Sequence, residues 1–265
     1  LVMAFQNYSP LRSFSGSEWV GLKNFQAMLS LPTFWTVVRN TLMISSVKIL
    51  LRLLVPLIIA LLLNEVLSNG FKRTAQTVFF LPYFLSWAVM GGVLRELFEY
   101  DGTINAILQS LGWEPIMFLG SNTWFPIIII VSDVWKDMGY NMIIFLAAIT
   151  NVDPALNESA ALDGANRWQQ IWNITLPTIR PIVVMLLVLS LGSVLSAGLD
   201  QVMLLYNPMV YESGDIIDTL VYRLGLVNHQ WSLSAAVGLM KSVISFILVV
   251  LSYRVATKRF DYQVF

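Results

Sequence analysis

The 265 residues contain no cysteine. No disulfide framework and no thiolate metal site can form, and no redox compartment is indicated. Net charge is also missing: 16 basic and 16 acidic residues cancel. That removes the basic footprint of a nucleic-acid binder. Charged residues make up only 12% of the chain, where a soluble domain carries about 25%. The one histidine, His229, has no second candidate ligand near it in the sequence, so no metal site is read from it. No G-x-x-x-x-G-K-[ST] run is present to cradle ATP. No H-E-x-x-H, no G-x-S-x-G and no histidine-based triad occurs either. The chain is therefore not read as an enzyme, and any chemical energy it uses must come from another subunit.

What is present is apolar. Hydrophobic residues reach 57% and mean hydropathy is +0.69. A membrane-spanning helix needs about 20 mainly apolar residues. Five segments satisfy this: Phe34 to Leu63, Thr74 to Phe98 with Pro82 inside it, Thr123 to Ile149, Ile182 to Tyr206, and Leu233 to Thr257. The opening LVMAF is read as the end of a longer first helix rather than a signal peptide, because no basic stretch precedes it. Residues 1–33 then form that helix end and an extracytoplasmic loop, and residues 34–265 form the transmembrane domain. Lys72, Arg73, Arg167, Arg180, Arg254, Lys258 and Arg259 fall on one side of these spans, and Arg12, Lys23, Arg95 and Arg223 on the other. The positive-inside rule makes the richer side cytoplasmic. Trp35, Trp124 and Trp231 then mark outer helix ends.

One stretch is out of character. Ala155 to Pro177, ALNESAALDGANRWQQIWNITLP, is small, polar and broken by glycine. Asp153 can cap a helix whose first turn holds Pro154. Gly164 can close that helix in the left-handed conformation. Asn166 can start a second helix carrying Trp168, Ile171 and Trp172, which Pro177 and Pro181 end before the next span begins. Ala160, Ala161 and Ala165 allow close approach of another surface, and Glu158 offers an acceptor. Helix signals alone also permit an ordinary amphipathic surface helix.

The pattern resembles the EAA loop of ABC importer permeases. Glu158, Ala160, Ala161, Asp163, Gly164, Ala165, Ile171, Leu176, Pro177 and Pro181 fit it. Ser159 stands at the first Ala, and Asn157 where Tyr is usual. Asn40-Thr41-Leu42, Leu61-Leu62-Leu63-Asn64, Phe79-Phe80-Leu81-Pro82-Tyr83, Asp101-Gly102-Thr103-Ile104-Asn105 and Trp135 to Asn141 resemble carbohydrate-importer permeases of the maltose-importer class. Leu204 to Pro208, Asp215 to Thr219 and Ala236 to Leu239 are similar to permeases for polysaccharide fragments such as those of alginate and pectin. The resemblance implies an all-α polytopic membrane helix bundle with the ABC type I importer permease fold, about six helices, the first truncated. Its EAA loop lies at 150–180, with Glu158, Ser159, Ala160, Ala161, Asp163, Gly164 and Ala165 coupling to an ATPase. It implies a bacterial inner-membrane, multi-pass subunit importing oligo- or polysaccharides by alternating access. The implied partners are a second homologous permease, two ABC ATPase subunits that bind ATP and magnesium, an extracytoplasmic sugar-binding protein and membrane lipid. No cofactor is implied for this chain itself.

Polar groups inside apolar spans are functional candidates. Asp133, Lys136, Asp137 and Asn141 share helical spacing, and Lys136 can pair with Asp133. Ser190, Ser193, Asp200 and Gln201 fall on the next span. Tyr83, Ser86 and Trp87 follow Pro82, which can kink its helix and release a carbonyl. Two readings stand for Tyr83, Ser86, Trp87, Asp133, Lys136, Asp137, Asn141, Ser190 and Ser193: a sugar path, or interhelical polar glue. Lys48 and Arg52 form a cationic i,i+4 pair in the first span. They are open to two roles, a path for an acidic polysaccharide or a contact to a partner permease. An alternative for the whole chain is a secondary transporter using Asp133 and Asp137 as its ion site.

Overall fold

A computed structural model describes residues 1–192 and 194–260. The chain opens with a 3-10 turn, Val2–Phe5, and a short antiparallel pair, β1 (Gln6–Asn7) with β2 (Glu18–Trp19). Helices follow throughout: α1 (Lys23–Leu29), α2 (Phe34–Asn64), α3 (Asn69–Phe80), α4 (Trp87–Phe98), α5 (Thr103–Ser110), α6 (Trp124–Thr150), α7 (Pro154–Leu162), α8 (Arg167–Gln170), α9 (Leu176–Leu191), α10 (Leu199–Leu205), α11 (Tyr211–Gly214), α12 (Ile217–Tyr222) and α13 (Trp231–Phe260).

Three of the five expected spans appear as single long helices close to the expected limits: α2, α6 and α13. The other two differ. The Thr74 to Phe98 segment is not one helix. It breaks into α3, a 3-10 turn Leu81–Phe84, and α4, with Leu85 extended at φ −75°, ψ 135°. Pro82 has no N–H to give and cannot continue a helical ladder. The Ile182 to Tyr206 segment is not one helix either. Its helix runs from Arg167 to Leu191, and α10 restarts only after Gly198, whose φ is +93°.

Pro177 and Pro181 do not end the α8 helix. A π turn, Ile171–Thr175, joins α8 to α9, and both prolines lie within the continuous run. The wider turn shifts the hydrogen-bond register just before the residue that lacks a donor. Thr178 Oγ1 adds a bond to the Ile174 carbonyl oxygen at 2.7 Å.

Among the described residues, α2, Arg167–Leu191 and Trp231–Arg254 are both long and apolar enough to cross a membrane. The α6 helix has the length, but Asp133, Lys136 and Asp137 interrupt its middle. On α2, Met43, Val47, Leu50, Leu54 and Ile58 are exposed at three- and four-residue spacing. On α13, Val243, Phe246, Ile247 and Leu251 are exposed. Water would penalise such stripes by about 25 cal/mol per Å², so these faces are built for lipid or for another apolar subunit.

The chain divides into two compact units. The first comprises Leu1–Val47, Trp87–Val131 and Gly192–Leu248. Buried polar groups tie it together. Asn40 Nδ2 donates to the Glu212 carbonyl oxygen at 2.9 Å. The Ile217 amide donates to Thr41 Oγ1 at 2.9 Å, and Gln201 Nε2 to the Ile129 carbonyl oxygen at 2.8 Å. The second comprises Lys48–Ser86, Ser132–Leu191 and Val249–Phe265. Its core is Leu57, Ala60 and Leu63 of α2, Met142, Phe145 and Ile149 of α6, and Ile179 of α9.

Candidate functional site

The polar segment is built by local rules. Asp153 Oδ1 accepts the Ala155 amide at 3.0 Å, and Pro154 opens α7. The helix closes on Gly164, at φ +85°. The Gly164 amide donates to the Ala161 carbonyl oxygen and the Ala165 amide to that of Ala160. These two bonds are a Schellman closure. Asn166 and Gln169 then form a reciprocal capping box, at 2.9 and 2.7 Å, that starts α8. Glu158, Ser159, Ala161, Asp163 and Gly164 are exposed, and Ala160 and Ala165 half-buried. Leu162 (90%), Trp168 (69%) and Trp172 (63%) are exposed apolar side chains around them. Two short rigid helices therefore present small residues flanked by uncovered apolar ones, the composition of a docking surface.

The second unit gathers a charge cluster in the middle of α2 and α6. Asp133 is buried, with its side chain 2% exposed. Arg52 grips it in bidentate fashion, Nε to Oδ2 at 2.6 Å and Nη2 to Oδ1 at 2.7 Å. Lys48 Nζ stands 3.2 Å from the same carboxylate. Arg52 Nη2 also reaches Asp137 Oδ2 at 2.7 Å. These ion pairs of Asp133 run across to α2, to Lys48 and Arg52; spacing in the sequence also allowed an i,i+3 pair with Lys136. Lys136 Nζ donates to the Tyr83 carbonyl oxygen at 3.1 Å and lies 5.5 Å from the Tyr83 ring centroid. Asn141 Nδ2 reaches the Arg52 carbonyl oxygen at 3.3 Å.

By formal count the cluster sets three basic side chains, Lys48, Arg52 and Lys136, against two acidic ones, Asp133 and Asp137. Lys48 is closed off, its side chain 5% exposed; Arg52 at 34% and Asp137 at 27% reach the surface of the unit. Tyr140, which sequence reasoning passed over, stacks on Tyr83 at 5.1 Å and 12°. Its position four residues after Lys136 was the available signal. Gly139 lets α6 approach α3: a Cβ there would lie 2.3 Å from the Phe79 carbonyl oxygen.

Ser86 follows Tyr83 in the second unit and is exposed, whereas Trp87 begins α4 in the first. Ser190 Oγ donates to its own helix, to the Leu186 carbonyl oxygen at 2.8 Å. Ser193 lies outside the described residues.

Among the described residues, the first unit holds two further ion pairs. Lys241 pairs with Asp218. Arg223 binds the Asp215 carboxylate and the Tyr206 hydroxyl and lies 4.7 Å from the Tyr211 ring centroid. Burial pulls the Arg223 pKa down, but the bond to Asp215 and its charge outweigh this and raise it.

Residues 25–261 match the family described as binding-protein-dependent transport system inner membrane component. The chain belongs to that family. It is 42% identical over 259 residues to the polygalacturonan/rhamnogalacturonan transport system permease protein YteP of Bacillus subtilis (strain 168), covering 97% of this chain and 81% of that protein. Its fold is similar to a crystal structure of a bacterial ABC transporter involved in the import of the acidic polysaccharide alginate. The TM-score is 0.90 and the identity 35%, over 97% of this chain and 87% of that one. A crystal structure of a bacterial alginate ABC transporter in complex with an alginate pentasaccharide-bound periplasmic protein gives a TM-score of 0.87 at 36% identity, over 90% and 83% of the two chains.

As a member of the binding-protein-dependent transport family, the chain is a permease subunit and not an enzyme. It is a multi-pass inner-membrane component. Family membership sets aside the secondary-transporter alternative, and the structure offers a separate reason. Both Asp133 and Asp137 are engaged by cationic side chains of the chain itself.

Proposed function

We propose that this subunit imports acidic oligo- or polysaccharides, driven by ATP hydrolysed on partner subunits. One observation carries the reading. Likeness over nearly the whole chain extends both to a polygalacturonan/rhamnogalacturonan permease and to an alginate importer, two systems whose named cargo is acidic. The formal excess of basic side chains in the Lys48, Arg52, Lys136, Asp133 and Asp137 cluster is in keeping with an anionic cargo.

In this proposal the exposed face of α7 and α8, from Glu158 to Trp172, docks on an ATPase. Small residues admit the partner closely, and Leu162, Trp168 and Trp172 supply apolar anchors. The Schellman closure and the capping box hold the two helices as one rigid lever. The continuous run from Arg167 to Leu191 carries their motion into the membrane. A second permease, two ATPases and an extracytoplasmic binding protein complete the assembly, and alternating access moves the sugar past Tyr83, Arg52 and Asp137.

The test is reconstitution of the assembled complex in proteoliposomes with alginate or polygalacturonate fragments. ATP-dependent uptake is expected for the unaltered complex, and its loss in Glu158→Lys and Gly164→Pro. Uptake of neutral maltodextrins in place of acidic fragments would overturn the cargo assignment. Retained ATP-coupled uptake in both variants would sink the coupling role.

A further inference from the structure

The first unit contains a cleft that shares no residue with the charge cluster or the polar segment. Its volume is about 230 Å³, under the roughly 300 Å³ at which pockets for drug-sized ligands begin. It suits one sugar ring of a longer chain. Arg95, Phe98, Glu99 and Tyr100 at the end of α4 form one wall, Met117 to Gly120 the second, and Leu205 to Asn207 the third.

The walls are held by side chains bonded to backbone. Arg95 Nε donates to the Leu204 carbonyl oxygen at 3.0 Å, with Nη2 on the same atom, which fixes α4 to α10. Asn105, 1% exposed, donates to the Tyr100 carbonyl oxygen at 3.1 Å and to that of Ile116 at 2.8 Å, and accepts the Ile116 amide at 2.9 Å. Asn207 Nδ2 donates to the Leu119 carbonyl oxygen at 2.9 Å. Tyr206 stacks on Tyr211 at 4.7 Å, and its hydroxyl is held by Arg223 and Asp215. So much fixing of irregular backbone preorganises a concave surface, and preorganisation lowers the entropy cost of binding.

The lining has the chemistry of carbohydrate recognition. Tyr100, Tyr206 and Phe98 offer aromatic surface to the C–H face of a pyranose, backed by the buried Phe118 ring that packs edge-on against Phe98. The Glu99 carboxylate accepts hydroxyl hydrogens. The Arg95 guanidinium has five N–H donors, of which two serve Leu204, and the rest suit a uronate carboxylate. We infer that this cleft is an oligosaccharide subsite that receives one uronate residue of the incoming chain. The distribution of lysine and arginine puts it on the extracytoplasmic side. The inference rests on the proposed acidic-sugar import and names a place where the cargo is met before the span interior.

Photolabelling of the assembled complex tests it, with a diazirine-bearing galacturonate trisaccharide followed by peptide mapping. Label is expected on the peptides holding Phe98 to Tyr100 or Met117 to Gly120, displaced by unlabelled trisaccharide. Tyr100→Ala and Glu99→Gln, both at exposed side chains, should each lower that labelling at least about 10-fold, a change near 1.4 kcal/mol. Label confined to other helices, label unaltered by both variants, or displacement by phospholipid in place of trisaccharide would overturn the subsite. Uptake of acidic fragments without cleft labelling leaves import standing and removes the subsite. Cleft labelling without uptake does the reverse.

Discussion

The ammonium of Lys136 bonds the backbone carbonyl oxygen of Tyr83. A cation in the middle of α6 thereby satisfies the chain where the 3-10 turn holding Pro82 ends. Lys136→Met keeps the length but removes the donor, leaving a carbonyl in an apolar setting without its partner. A loss of about 1–3 kcal/mol is expected, largely restored by Lys136→Arg. Thermal unfolding of the purified complex in detergent, compared for the two variants, measures it.

Asp133 and Asp137 share Arg52 but differ in setting. Asp133 is buried between Arg52 and Lys48, and its loss removes the carboxylate that both cations contact, leaving Arg52 its pair with Asp137; Asp137 is partly open to its surroundings. Asp133→Ala should cost about 3–5 kcal/mol and reduce the yield of folded protein. Asp137→Ala should cost clearly less. Equal losses in denaturant titrations of the two variants would contradict this account of the cluster.

Gly139 and Gly70 make a matched pair. A Cβ at Gly139 meets the backbone of Phe79 and Phe80 at 2.3 to 2.7 Å, while one at Gly70 meets nothing within 4 Å. Backbone cannot swing aside as a flexible side chain can. Gly139→Ala should therefore destabilise by about 1–3 kcal/mol. Gly70→Ala, near the start of α3, should be neutral or gain about 0.5–1 kcal/mol. Protease resistance of the two variants separates these outcomes.

Gly164 is constrained by conformation and not by space. Its φ is +85°, yet a Cβ there would meet nothing within 4 Å. Gly164→Asn, tolerant of the left-handed region, should retain most ATP-coupled uptake. Gly164→Val should lose most of it, because a β-branched residue there is strained and misdirects α8. The rates of uptake per ATP hydrolysed decide between them.

The polar segment was the most legible part of the chain. Its caps, its glycine closure and its capping box use partners within five residues, so local spacing contains the geometry. Long spans were legible where the helix runs on unbroken, as in α13 and in α2, which continues through Pro56. The break after Phe84 was visible in Pro82 only as a kink, since one missing donor bends or breaks a helix according to what else bonds the freed groups. The prolines at 177 and 181 misled in the opposite direction. A π turn absorbed them, and no residue pattern announces such a turn.

Composition and local spacing were enough for membrane helices, for the absence of a nucleotide-binding loop, and for a rigid polar elbow between spans. These depend on transfer of side chains from water and on hydrogen bonds between near neighbours. Which charge pairs with which was a matter for tertiary packing. Lys136 had Asp133 three residues away, yet that carboxylate's ion pairs run to Lys48 and Arg52, more than 80 positions earlier in the chain. In an apolar interior a charge is stabilised by whichever opposite charge the packing brings within reach. The cleft beside Tyr100 and Tyr206 has the same origin: its three walls are far apart in sequence and meet only through bonds to backbone that no local pattern encodes.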